Sequence, residues 1–148
     1  MLKITVRPFH WTDLMCFESA EVYIGDERAR HLQSAGPAYT VLDGDTDFPL
    51  GDNPVSAGGM GQLWRGVGEF WVALSPWAKE HKFFVVRTAR KFLKDVFAAD
   101  KTLYRVQCYV RKEHSHLHLA QAIGLKWEAD IKAYFPGRVD ASLYSKVI

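Results

Sequence analysis

Leu103-Tyr104-Arg105-Val106-Gln107-Cys108-Tyr109-Val110-Arg111 alternates apolar and polar side chains, and Ser115-His116-Leu117-His118-Leu119-Ala120-Gln121-Ala122-Ile123-Gly124-Leu125 follows it with helical spacing. A period of two describes a pleated strand, and a period of about 3.6 describes a helix with one apolar face. The strand is expected over Leu103 to Val110 and the helix from about Glu113 to Ile123, where Gly124 ends it because glycine accepts the left-handed conformation of a helix cap. Two further strand patterns, Trp127 to Phe135 and Ser142 to Val147, close the chain, with Pro136-Gly137 beginning the turn between them. Strand, helix and closing hairpin, in that order, are the back half of an α/β fold.

Towards the amino terminus, Ser75-Pro76 is a helix start, because serine caps free backbone N–H groups and proline loses nothing in a first turn. Val85, Ala89, Phe92, Leu93, Val96 and Phe97 then recur at helical spacing to about Ala98, while Lys82, Arg87, Arg90, Lys91 and Lys94 fill the other faces. A solvated basic face is the simpler reading of those charges. Upstream, Gly68 to Leu74 is a strand and Val55 to Met60 another, weakened by Gly58-Gly59, with Arg65-Gly66 in the turn between them. Ala38 to Leu42 is a short strand followed by the turn signal Asp43-Gly44-Asp45 and a loop holding Pro49, Gly51, Asp52, Asn53 and Pro54. Leu2 to Arg7 is a first strand that Pro8 ends. Two short helices follow it: one capped by Thr12 or Asp13, with Leu14, Phe17, Ala20 and Val22 to Ile24 as its apolar spacing, and one over Asp26 to Gln33, stopped by Ser34-Ala35-Gly36-Pro37. The predicted order is β-αα-β-β-β-α-β-α-β-β: an α+β (α/β) chain, residues 1–148 as a single domain, with a mixed sheet of about seven strands flanked by about four helices.

Composition limits the function classes. At 148 residues, 48% hydrophobic and 24% charged, the chain is long enough to bury a core. A net charge of +2 is too small to make nucleic acid the main partner. Cys16 and Cys108 lack a CxxC spacing and read as reduced core residues of an intracellular protein. No apolar run approaches the ~20 residues of a membrane span, and no signal peptide opens the chain, so the expected location is the cytoplasm.

In this order of elements the chain resembles the GNAT superfamily of acetyltransferases over nearly its whole length. Val6-Arg7-Pro8 with Asp13-Leu14 looks like the family's opening, and Ala120 to Leu125, ending Ile-Gly-Leu, is similar to its penultimate helix and the Gly-Phe that usually closes it. Phe48-Pro49-Leu50, Gly58-Gly59 and Ser115-His116 resemble, more narrowly, the acetyltransferase-like proteins of short-tailed bacteriophages. The resemblance implies acetyl-CoA as cofactor, an amine as acceptor, and a slot between the fourth and fifth strands in which backbone groups of Val72, Ala73 and Leu74 pair with the pantetheine arm. It makes Glu69, at the start of the fourth strand, the candidate base that draws the amine proton through water, although an exposed strand-end glutamate is the simpler reading of the residue.

Two departures from the family pattern bear on the site. The family follows the fourth strand with Arg/Gln-x-x-Gly-x-Gly/Ala, whose glycines let the backbone approach the pyrophosphate. Between Ser75 and Val85 this chain has no glycine, which leaves Lys79, His81 and Lys82 to meet phosphates as side-chain cations. The family's tyrosine acid falls on Ala120, so Tyr109 and Tyr134 are the substitutes, each also readable as an ordinary strand tyrosine. His116 is a further candidate near the thioester end, or a helix-start histidine bonded to a backbone carbonyl.

His114 and His118 share a helical face, but without an acidic or cysteine ligand at paired spacing no metal is expected. Of the tryptophans, Trp71 and Trp127 are expected in the core, while Trp64 and Trp77 lie near turns where a ring can stay exposed and anchor an interface. The second reading is therefore a GNAT-fold phage protein without chemistry that binds a virion component or a host protein. Nucleic-acid binding through Arg87, Arg90, Lys91 and Lys94 is the least supported reading.

Overall fold

The computed structural model describes residues 3–16, 26–44, 53–112 and 116–148. Seven strands are described: β1 (Ile4–Pro8), β2 (Ala38–Asp43), β3 (Pro54–Trp64), β4 (Val67–Leu74), β5 (Arg105–Arg111), β6 (Lys126–Phe135) and β7 (Val139–Val147). Their order in the sheet is β1-β2-β3-β4-β5-β7-β6. β4 and β5 are parallel, whereas β1 with β2, β2 with β3, β5 with β7 and β6 with β7 are antiparallel. A 3-10 turn (Trp11–Cys16) and the helices α1 (Asp26–Ser34), α2 (Trp77–Glu80), α3 (Lys82–Ala99) and α4 (His116–Ala122) complete the elements. The mixed α/β sheet is as the sequence predicts. Among the described residues, no helix is long and apolar enough to cross a membrane.

The chain forms two compact units, Met1–Gly61 with Trp71–Val85 and Gln62–Phe70 with Val86–Ile148. The first is organised by Asp13. Its carboxylate accepts two hydrogen bonds from Arg7 at 2.8 Å, one from the Thr40 hydroxyl at 2.7 Å and one from the His10 N–H at 3.0 Å. It is therefore a buried clamp joining β1 to β2. Phe9, Tyr39, Val41, Val55, Ala57 and Met60 form this unit's core. The glycine pair has a steric reason. A Cβ at Gly58 would stand 2.6 Å from the Tyr39 hydroxyl, and one at Gly59 would stand 2.7 Å from the Ala38 Cβ.

In the second unit α3 lays Phe92 on Phe70, ring centroids 6.2 Å apart. Val67, Ala89, Leu93, Val106, Ile123, Leu125 and Tyr144 make its core, and Ala120 is buried with them. Gly124 ends α4 at φ 95°, as the sequence implies.

Several boundaries differ from the sequence reading. The long helix expected from Ser75-Pro76 is broken: α2 stops at Glu80, and His81, at φ −121° and ψ 38°, separates it from α3. β1 includes Pro8, which an edge strand tolerates because a missing N–H there leaves no ladder bond unmade. β3 runs on to Trp64, and β7 starts at Val139. Cys16 and Trp127 are exposed, not core, while Cys108 is buried as expected. Phe48-Pro49-Leu50, the apolar spacing from Phe17 to Ile24, His114 and Ser115 lie outside the described residues.

Candidate active site

β4 carries the candidate base. Its parallel ladder with β5 pairs Val67 with Arg105, Gly68 with Val106 and Glu69 with Gln107, while β4 itself runs on to Leu74. Partners in a parallel ladder project to the same side, so half-buried Glu69 stands beside buried Gln107. A relay of hydrogen bonds runs along alternate residues of β5. Arg105 Nε donates to Gln107 Oε1 at 2.8 Å, and Gln107 Nε2 donates to the Tyr109 hydroxyl at 3.3 Å. Arg105 is held from the other side by Glu128, at 3.0 Å, which also accepts the Ser145 hydroxyl. Because the Tyr109 oxygen accepts from Gln107, the phenol's own hydrogen points to another partner. A proton donor therefore sits two residues along β5 from the position beside Glu69.

Tyr134 stacks on Tyr109, centroids 4.5 Å apart and planes 14° from parallel. A bulge places it there. β6 shifts register between Ile131 and Phe135, Ala133 takes φ 52°, and its N–H donates to Asp140 Oδ1 at 2.9 Å. Period-two reading of β6 misses this, because β6 spends four residues from Ile131 to Phe135 against two of β7 from Ala141 to Val139, and the two extra residues interrupt the regular alternation. Cys108, the neighbouring thiol, is buried, and burial, with the charge of Glu69 adding to it, pushes its pKa up to about 12, which disfavours the thiolate. The sequence offers Tyr109 as a candidate, but not the Arg105–Gln107 relay that reaches it. Residues 105, 107 and 109 alternate with apolar positions, and that alternation is the signal. His116 opens α4, and its side chain lies outside the described residues.

The first unit holds the residues assigned to the cofactor. Val72, Ala73 and Leu74 are half-buried along β4. The segment after them is tightly wound. Ser75 donates to the Val55 carbonyl from its N–H at 3.2 Å and from its hydroxyl at 2.6 Å. The N–H groups of Ala78, Lys79 and His81 are bonded to the carbonyls of Ser75, Pro76 and Ala78 at 3.0, 3.1 and 3.3 Å. Trp77 is not an exposed ring: its indole N–H donates to Asp43 at 2.8 Å and its face stacks on His81 at 3.9 Å. His81 Nδ1 donates to the Trp77 carbonyl at 2.9 Å, so the histidine is part of this knot. Lys79 and Lys82 are exposed, and so is Phe83, 90% accessible in the first turn of α3. Trp71 packs edge-on against Phe9 at 5.0 Å, and its buried indole N–H has no hydrogen-bond partner among the described residues. No group of His, Cys, Asp and Glu among the described residues suits a metal ion.

Comparison with solved structures decides the fold. Over 98% of this chain and 97% of the other, Ard1 of Thermoplasma volcanium superposes with a TM-score of 0.76 at 12% identity. An acetyltransferase of the GNAT family from Bacillus anthracis matches 99% of this chain and 98% of its own, with a TM-score of 0.68 at 15% identity. A point variant of the spermidine N-acetyltransferase SpeG from Vibrio cholerae matches 97% of this chain and 94% of its own, with a TM-score of 0.71 at 16% identity. The chain has the GNAT fold. No family model matches the sequence, and no curated protein matches it. GNAT architecture is thus carried here by a sequence that differs from those structures at more than four positions in five.

The residues after β4 fit a CoA thioester in one respect and depart from the family in another. The amides of Ala78, Lys79 and His81 are already bonded within the turn, so these three offer no open N–H groups to a diphosphate. The ammonium groups of Lys79 and Lys82 are exposed beside this turn.

Proposed function

We propose that the protein is an N-acetyltransferase that uses acetyl-CoA and acts in the cytoplasm on an amine. The observation that carries this reading is Glu69 beside Gln107 on a GNAT sheet, with the Tyr109 hydroxyl oriented by the same glutamine. Val72, Ala73 and Leu74 would hold the pantetheine arm through their backbone groups. Lys79 and Lys82 would neutralise the diphosphate, with His81 closing the turn that carries them and the ring of Phe83 offering a stacking face for adenine. Acetyl-CoA, when bound, supplies an activated acetyl carbonyl. Glu69, as a carboxylate, takes the proton of the incoming ammonium group through water and leaves the amine lone pair free. Tyr109 returns a proton to the departing sulfur from its hydroxyl.

Acetyl-CoA should raise the melting temperature, with protection from hydrogen exchange centred on positions 72–82. Glu69→Gln should lower kcat by about a hundredfold, the low end of what a lost general base costs, with the melting temperature unchanged. Absence of CoA binding at millimolar concentration would remove this reading.

One observation favours a second reading: Trp64, at the end of β3, is 62% accessible. Under it the chain is a bacteriophage protein without chemistry that binds a virion or host protein through that ring, the type of residue most often dominant in interfaces. Trp64→Ala should then abolish capture of a stoichiometric partner from infected cells, in preparations that neither bind nor turn over acetyl-CoA.

A further inference from the structure

A groove in the second unit stands outside everything assigned above. It is lined by Arg90, Leu93, Lys94 and Phe97 of α3, by Ile123 after α4, and by Lys146 and Ile148 at the end of the chain, and its volume is about 390 Å³. That falls within the range of about 300 to 1,000 Å³ typical of small-ligand sites. The floor is apolar, since Leu93 and Ile123 are buried. The charged side chains lining it are all positive, Arg90, Lys94 and Lys146, with no aspartate or glutamate among the described lining residues, so the rim stays net positive with the α-carboxylate of Ile148 counted. The nearest acid along α3, Asp95, is already paired with Lys91 at 2.6 Å.

Two of the cations are oriented. Arg90 Nε donates to the Ala122 carbonyl at 2.6 Å, which fixes the plane of the guanidinium and leaves its terminal nitrogens for another acceptor. The Lys146 ammonium sits over the Phe97 ring, 5.6 Å from its centroid, which holds the charge at the edge of the apolar floor. A cationic ligand is repelled by this rim, a bare inorganic anion leaves the floor unused, and an uncharged apolar ligand leaves the rim unused. The guanidinium fork matches the two oxygens of a planar carboxylate.

We propose that this groove binds a small amphipathic carboxylate, a medium-chain or aromatic acid, with its apolar body on Leu93, Phe97 and Ile123 and its carboxylate on Arg90, Lys94 and Lys146. The site is independent of the acetyl-CoA reading. The test is a titration of the full chain with octanoate, followed by the methyl resonances of Leu93, Ile123 and Ile148, with octanol and inorganic phosphate as separate arms. Octanoate should shift those methyls saturably with a Kd on the order of a millimolar, the affinity expected of a ligand of so few atoms. Arg90→Gln and Lys146→Gln should each weaken binding about tenfold, the effect of one lost charge-assisted contact. Lys146→Gln keeps the test open if Arg90→Gln disturbs the packing at Ala122. Unsaturable shifts, equal shifts with octanol, the same shifts with phosphate alone, or undiminished binding in the folded Lys146→Gln variant would each overturn the proposal.

Discussion

Asp13 is the residue on which the first unit turns, and its electrostatics set a pH dependence. Burial alone would raise its pKa, but the hydrogen bonds from Arg7, Thr40 and the His10 N–H outweigh that and hold it below the ordinary carboxylate value. A carboxylate whose folded pKa is depressed favours the folded state whenever it is ionised. Its contribution is complete above the unfolded pKa of about 3.9 and is lost as pH falls through the lower folded value. Asp13→Asn keeps the shape while removing the carboxylate charge that the half-buried Arg7 guanidinium faces. It should cost about 2 kcal/mol in urea denaturation at pH 7, and the difference from wild type should shrink as both are taken towards pH 3. A difference constant with pH would show that the loss is one of packing. Sequence alone places Asp13 near a helix start but cannot supply Thr40, which lies 27 residues away along the chain. The candidate site is legible to the same depth. Glu69 and Tyr109 are visible as strand residues, whereas the Gln107 that joins them, and the Tyr134 that covers one, depend on a register and a bulge that only the folded sheet fixes.

At the scale of elements, what repeats is readable and what departs from repetition is not. β4, β5 and α3 follow from period and apolar spacing because each carries buried apolar side chains at its own repeat, Phe70 on β4, Val106 and Cys108 on β5, and Val85, Ala89 and Leu93 on α3. The break at His81 has no such signal. Lys79 to Lys82 is good helical sequence, and the helix stops because Trp77 is drawn to Asp43, 34 residues away, and stacks on His81. Ala133 is the parallel case in β6. An alanine at φ 52° is strained, and it stays there because the Asp140 carboxylate accepts its N–H. Glycine adopts that conformation without strain, so Ala133→Gly should raise stability by about 0.5 kcal/mol once glycine's larger unfolded-state entropy is counted. Equilibrium urea curves measure this. A loss of stability of comparable size would mean that the alanine methyl packs well enough to outweigh the backbone strain.

For the molecule as a whole, the sheet ends at β1 and β6, and an exposed edge strand is a template for pairing with another chain. β6 is ten residues long, so its edge needs blunting, and the chain does this in two ways. Its exposed positions include Lys126, Glu128, Asp130 and Lys132, and it shifts register against β7 between Trp127 and Ala129 and again between Ile131 and Phe135. Charge on the strand penalises a second copy laid alongside, and a bulge removes the straight run of backbone groups that pairing requires. Lys126→Val with Lys132→Val replaces both edge cations with strong strand formers and takes the net charge from +2 to 0. This double variant should self-associate in light scattering at concentrations where the wild type does not. Lys94→Gln with Lys101→Gln makes the same change in net charge away from β6 and should scatter like the wild type. If both pairs associate alike, loss of net charge is the cause and the edge carries no special protection. If neither associates, the two bulges alone suffice to keep β6 unpaired.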